Sequence, residues 1–113
     1  MAENKLADMS TEFAVRILKL TDTIKGHYSL SNQLERSGTS IGANVREAIR
    51  GQSSADFYSK LNIALKEASE TEYWLELLGE SGYIEKSHFD DIYSDCQEII
   101  SILVAITRNQ KSS

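Results

Sequence analysis

The apolar residues of this chain recur at intervals of three and four positions in four long stretches. That period places them on one side of an α-helix, with polar residues on the other side. No stretch alternates apolar and polar residues at a period of two, so the pattern predicts no β-strand. We expect helices over about residues 5–26, 32–52, 54–79 and 87–109.

Each predicted helix contributes one apolar stripe to a shared core. In chain order the stripes are Leu6, Met9, Phe13, Ile17, Leu20 and Ile24; Leu34, Ile41, Val45 and Ala48; Phe57, Leu61, Ala64, Leu65, Ala68, Leu75 and Leu78; and Phe89, Ile92, Cys96, Ile99, Leu103 and Ile106. Because the connections are short, neighbouring helices should run antiparallel. The sequence therefore predicts an all-α, up-down-up-down four-helix bundle that forms a single domain over residues 1–113.

Capping residues indicate where three of the helices begin. A capping box pairs a polar N-cap side chain with a second polar side chain three positions later. The candidate pairs are Asn32 with Glu35, Ser53 with Asp56, and Ser87 with Asp90. Gly26 suits the residue just after the first helix, since glycine adopts a positive φ without strain.

The composition agrees with a globular helical protein. The chain has 113 residues, of which 41% are hydrophobic and 26% are charged, so it can bury a core without disulfides or metal. It has no proline, which favours long helices, and no apolar run long enough to span a bilayer. Its single cysteine, Cys96, cannot form an internal disulfide and is expected to be a buried thiol. We expect a cytoplasmic protein that does not cross a membrane.

The charged residues are unevenly distributed along the chain, whose net charge is −5. Residues 1–66 carry nine basic and seven acidic side chains, whereas residues 67–113 carry three basic and ten acidic ones. An acidic protein does not attract phosphate backbones through its overall field. Contact with nucleic acid would therefore need a local basic face or a basic partner protein.

Four cations are the candidates for such a basic face. Arg36, Arg46 and Arg50 lie opposite the apolar stripe of the second helix, and Lys60 follows early in the third. They form either a solvated helix face or a surface that contacts phosphate or an acidic partner. Arg46 and Arg50 stand four residues apart, a spacing at which like charges on a helix repel each other mildly.

Two further groups of residues predict close packing. Gly38 and Gly42 lie inside the second helix, where each costs about 1 kcal/mol relative to alanine. A neighbouring helix must approach them closely, either within the monomer or from another subunit. Ile63, Trp74 and Leu77 lie about 120° from the core stripe of the third helix on a helical wheel. They belong either to a wide core face or to a subunit interface, where large aromatic residues are enriched.

The chain contains no nucleophile motif, phosphate-binding loop or dinucleotide fingerprint. Its two histidines, His27 and His88, are far apart in sequence and do not suggest a metal pair. We therefore expect no catalytic residue, metal, cofactor or small-molecule substrate, and we predict that the protein is not an enzyme.

Three stretches carry a family resemblance: RSGTSIGANVREA at residues 36–48, DFYSKLNIALKEASETEYWLELL at 56–78, and GYI at 82–84. With them the chain resembles the bacterial four helix bundle proteins. These are related to the protein encoded by intervening sequences within large-subunit ribosomal RNA genes, and they are often named ribosomal proteins. The similarity covers nearly the whole chain.

The resemblance implies an antiparallel four-helix bundle that assembles into a ring-like homopentamer. The related accessory protein of diversity-generating retroelements is such a pentamer, and its basic surface associates with a reverse transcriptase and nucleic acid. Arg36 and Arg46 are the two candidate cations that lie in the first of these stretches. The acidic net charge of this chain departs from that basic surface, and the family has no catalytic residues to carry over.

Two functional hypotheses follow. In the first, the protein is a non-enzymatic, homo-oligomeric helical scaffold that engages RNA or a nucleoprotein partner. In the second, it is a protein–protein interaction module that never contacts nucleic acid.

Overall fold

Four α-helices account for most of the chain in a computed structural model, which describes residues 2–110. They are α1 (Ala2–Thr23), α2 (Tyr28–Ile49), α3 (Ser54–Glu80) and α4 (Lys86–Thr107). Over the described residues there is no β-strand. The all-α prediction is therefore confirmed.

The helices form an antiparallel bundle in which each helix packs on the next and α4 returns to α1. The molecule measures 46 × 22 × 21 Å, so its long axis is close to the roughly 40 Å expected for the 27 residues of α3. The contact between α1 and α4 is the sparsest of the four. None of the helices within residues 2–110 is long and apolar enough to cross a membrane.

The predicted stripes meet in one core. Most of their residues are fully buried, and five are partly buried at the edge of the core: Met9, Phe57, Leu65, Phe89 and Ile106. Ile84, in the connection between α3 and α4, is a buried residue that periodicity did not predict. Removing a leucine or isoleucine side chain of this size from water contributes about 1.5–3 kcal/mol, so the stripes are the main source of stability.

Gly38 and Gly42 face α1 of the same chain. A Cβ atom on Gly38 would lie 3.0 Å from both Cγ atoms of Ile17, and one on Gly42 would lie 3.4 Å from the Ser10 hydroxyl. The missing side chains let α2 approach α1 closely at both positions. This contact within the monomer accounts for two glycines in the interior of a helix.

The N-terminus of α3 is capped as predicted. The Ser53 hydroxyl accepts a hydrogen bond from the backbone N–H of Asp56 at 3.0 Å. Ser53 itself is extended, with φ −146° and ψ 163°, which is the usual conformation of an N-cap residue. The short link between α2 and α3 is therefore well defined by its own residues.

The other two predicted capping boxes are wrong. Gly26 and His27 both adopt a positive φ, of 79° and 41°, and this reversal lets α2 begin at Tyr28 rather than near Asn32. At α4 the N-cap is Glu85, whose carbonyl accepts from the Phe89 N–H at 2.8 Å. Ser87 lies inside the helix, and its hydroxyl donates to the Glu85 carboxylate. In both places the path of the connection, rather than a capping side chain, determines where the helix begins.

Candidate nucleic-acid interface

Three of the four predicted cations meet at the end of the bundle where α2 leads into α3. They surround a shallow depression of about 460 Å³. Its lining residues are Arg46, Glu47, Arg50, Gly51, Gln52, Asp56 and Lys60. We call this surface the basic corner.

Gly51 brings the two sides of the basic corner together. A Cβ atom at this position would lie 3.1 Å from the Ala48 carbonyl oxygen and 3.1 Å from Cβ of Asp56. Glycine thus lets the end of α2 approach the start of α3 closely without a tight contact. The cations of α2 therefore lie beside Lys60 across a very short connection.

The cations of the basic corner are held by weak, solvent-exposed contacts. Lys60 Nζ lies 3.3 Å from a Glu47 carboxylate oxygen, and Arg46 donates to the Thr11 hydroxyl at 3.2 Å. Within the described residues Arg50 forms no ion pair. Exposed ion pairs of this kind contribute at most about 1 kcal/mol. An incoming anion can therefore replace these partners at small cost.

Arg36 is separated from the other three cations. It lies about 15 Å from Arg46 along the axis of α2. Its guanidinium nitrogens contact Glu67 and Glu70 of α3, each at 3.2 Å. Two carboxylates thus neutralise this arginine and hold α2 against α3. The structure does not bring Arg36 into the basic corner.

The remaining predicted residues lie on the outer surface of α3. Ile63 is 40% exposed, whereas Trp74 and Leu77 are half-buried, and Trp74 packs against the core. The indole Nε1 of Trp74 is buried and has no hydrogen-bond partner among residues 2–110. Tyr73, which the sequence analysis missed, is 54% exposed, and its ring lies 5.3 Å from that of Trp74. We call Ile63, Tyr73, Trp74 and Leu77 the α3 surface cluster.

Sequence reasoning also missed Arg16, the residue that joins the sparsely packed α1–α4 pair. Its guanidinium contacts Asp91 of α4 at 2.8 Å and also pairs with Asp95. The two aspartates stand four residues apart, so both face the same neighbour. That spacing was visible in the sequence, but the identity of the facing helix was not.

Two groups that could take part in chemistry are held in their neutral forms. Burial, together with the nearby Glu72 carboxylate, raises the pKa of the Cys96 thiol to about 12. Its Sγ donates to the Ala68 carbonyl at 3.6 Å. Burial and a hydrogen bond to Glu76 raise the pKa of Tyr93 to about 12. A thiol with so high a pKa is a poor nucleophile at neutral pH.

One short motif escaped the sequence analysis. Glu85 and His88 stand at the Glu-x-x-His spacing that di-iron helical bundles use. Such centres need further carboxylates and a second histidine from facing helices. Among residues 2–110 no group of three histidine, cysteine or acidic side chains is placed to hold a metal ion. The motif alone therefore does not make a metal site.

The chain matches known proteins over nearly its whole length. Residues 2–105 match the family model described as 23S rRNA-intervening sequence protein. A crystal structure of a protein of unknown function from the S23 ribosomal protein family of Bacteroides thetaiotaomicron is 50% identical, with a TM-score of 0.90. That match covers 96% of this chain and 100% of the other. No curated protein matches the chain.

Proposed function

Because the chain belongs to the 23S rRNA-intervening sequence protein family, we propose that it is a non-enzymatic, homo-oligomeric scaffold in the cytoplasm whose basic corner contacts RNA or a ribonucleoprotein. The observation that carries this proposal is the convergence of Arg46, Arg50 and Lys60 on one depression. Basic side chains that neutralise phosphates supply the sequence-independent part of nucleic-acid binding.

Each subunit offers only a small basic surface. Three cations in the basic corner face two carboxylates, Glu47 and Asp56, so the local excess is a single positive charge. Two or three phosphate contacts of this strength give weak binding alone. Several corners on one assembly would act together, since linked sites raise the effective concentration of the ligand. RNA contact and self-association are thus two parts of one proposal.

The α3 surface cluster supports self-association. It combines exposed Ile63 and Tyr73 with half-buried Trp74 on one helix, and aromatic residues are enriched in protein interfaces. The family resemblance implies a ring of five subunits, and we adopt that number for the assembly.

RNA binding is tested by fluorescence anisotropy of a labelled single-stranded RNA across a salt series. We expect log K to fall by about 0.7 for each phosphate contact per tenfold rise in salt. The double variant Arg46→Gln/Arg50→Gln should weaken binding and make the salt slope shallower. Arg36→Gln is the matched control, because this arginine already pairs with two carboxylates away from the basic corner.

Two results would contradict this assignment. If the double variant bound as tightly as the wild-type protein, RNA would bind to another face. If the wild-type protein bound no RNA even at low salt, the second candidate function would be favoured.

Self-association is tested by light scattering of Ile63→Glu. Since Ile63 is 40% exposed, the charge should spare the core but break an apolar contact between subunits. We expect the mass to fall toward the 12.7 kDa of one chain. Gln97→Glu adds the same charge at an exposed position of α4 and should leave the assembly intact. An unchanged mass for Ile63→Glu would show that the α3 surface cluster is not part of a subunit interface.

The second candidate is a protein–protein interaction module that does not contact nucleic acid. The net charge of −5 and the two carboxylates inside the basic corner favour it. Purification of the native complex with and without nuclease separates the two candidates, because a complex held by RNA is lost on digestion.

A further inference from the structure

A second depression, of about 300 Å³, lies at the opposite end of α3, where the chain turns into α4. Its lining residues are Glu76, Gly79, Glu80, Ile84, Lys86, Phe89 and Asp90. Buried Ile84 and half-buried Phe89 supply apolar surface, and three carboxylates surround it. We call this surface the acidic pocket.

Gly79 shapes the acidic pocket. A Cβ atom at this position would lie 2.6 Å from Cδ1 and 2.8 Å from Cε1 of the Phe89 ring. The phenyl ring therefore lies directly on the backbone of α3, and no side chain at position 79 fills the space beside it. The ring also stacks on Tyr93, with 4.9 Å between centroids and 23° between planes. The apolar part of the pocket is thus held by packing from two sides.

The carboxylates around the acidic pocket differ in how they are held. Tyr93 donates its hydroxyl proton to Glu76 at 3.0 Å, which orients that carboxylate. Asp90 contacts Lys86 at 3.1 Å, but both of these side chains are largely exposed. Glu80 forms no ion pair within residues 2–110. One oriented and two accessible carboxylates therefore face the apolar surface.

The surrounding charge selects a cationic occupant. Residues 72–95 hold seven carboxylates and one lysine, and Arg16 pairs with just two of those carboxylates. This field disfavours phosphate, and therefore RNA, beside the acidic pocket. Within the described residues no group of ligands is placed to hold a metal ion. A lysine or arginine side chain satisfies both parts of the pocket, since its apolar stem can cover the exposed part of Phe89 while its charged end reaches the carboxylates.

We propose that the acidic pocket binds a basic segment of a partner protein, in which an arginine or lysine is flanked by an apolar residue. The proposal does not depend on RNA contact at the basic corner, which lies at the other end of α3.

The test uses the full-length, ¹⁵N-labelled protein and two synthetic peptides. The first is acetylated and amidated Ala-Leu-Arg-Lys-Leu-Ala, and the second has glutamine in place of both basic residues. We expect saturable amide shift changes within residues 76–93 for the basic peptide and none for the neutral one. The variant Glu80→Gln/Asp90→Asn should weaken binding about tenfold, whereas the control Glu98→Gln, on the same helix as Asp90, should bind like the wild-type protein.

Three outcomes would overturn the proposal. The first is the absence of saturable binding, and the second is shift changes centred outside the acidic pocket. The third is a fall in the mass of the protein alone on introducing Glu80→Gln/Asp90→Asn, because the pocket would then be covered by a second copy of the chain. Unchanged circular dichroism of that variant would show that any loss of peptide binding is not a loss of fold.

Discussion

The two ends of this bundle differ in chemistry and in construction. At the basic corner a single short connection joins α2 to α3, and Ser53 caps the helix that follows. At the other end two connections meet, and the rings of His27 and Tyr83 lie edge to face with 5.0 Å between centroids. The first end gathers cations around an open depression, and the second gathers carboxylates around Phe89 and Ile84. The chain thus separates its charges along the axis as well as between its two halves.

This contrast shows how one rigid helix can carry two unlike surfaces. Because α3 runs the full length of the molecule, its first turns line the basic corner and its last turns line the acidic pocket. The middle of α3 is used for packing, through the buried hydrogen bond at 2.9 Å from the Thr71 hydroxyl to that of Ser37. Changes confined to one end should therefore leave the other end unaffected.

The largest effect on stability is expected from Gly79→Ala at the acidic end. The new methyl group would collide with the Phe89 ring, and overpacking of this kind costs about 1–3 kcal/mol. Urea unfolding should show a lower midpoint. Gly42→Ala is the matched control, because its methyl group would lie at 3.4 Å from the nearest atom and should cost little. Equal stability of the two variants would mean that the Phe89 ring moves freely.

A smaller difference in stability is expected between variants at the first residues of α3 and of α4. Ser53→Ala should lower the free energy of unfolding by about 1 kcal/mol, since it removes the hydroxyl that accepts from the Asp56 N–H. Ser87→Ala removes a hydroxyl that donates to the exposed Glu85 side chain, and its effect should stay within about 0.5 kcal/mol. Thermal unfolding of both variants measures the difference. A larger loss of stability for Ser87→Ala than for Ser53→Ala would show that Ser87 caps α4.

The last effect is confined to alkaline pH and involves Tyr93 at the acidic end and Cys96 in the core. The folded protein holds the pKa of Tyr93 at about 12, above its ordinary value of 10.0. The folded state therefore keeps a proton that the unfolded chain loses, and stability must fall as pH rises from about 10 toward 12. Cys96 acts in the same direction from about pH 9. We expect Tyr93→Phe to show a shallower fall in urea midpoint above pH 10, whereas an identical slope would contradict the raised pKa.

The core was predictable residue by residue, but the helix ends were not. All of the stripe residues lie in or against the core, because the three-and-four period depends only on helix geometry. Of the three N-cap residues that these boxes predicted, only Ser53 is correct. Asn32 failed because Gly26 and His27 turn the chain sooner, and Ser87 failed because the path of residues 81–85 places Glu85 first. Local spacing cannot anticipate a turn that depends on packing elsewhere.

The sequence predicted which cations could form a site, but it did not predict which of them lie together. A helical wheel placed Arg36 with Arg46 and Arg50, since projection down the axis discards distance along it. In the bundle the carboxylates of Glu67 and Glu70 face Arg36, whereas Gly51 brings Lys60 beside the other two arginines. The acidic pocket was not predicted, because Glu76, Ile84 and Phe89 come from three different elements.

By itself, the sequence determined the number of helices, their apolar faces and the imbalance of charge between its halves, since each depends only on residue type and the period of the α-helix. Tertiary structure alone decided which charges neutralise one another, which of them surround an open depression, and how Trp74 is divided between core and surface. Those outcomes depend on which helix faces which and on the distance between side chains along the bundle axis, and neither is recorded in a linear pattern.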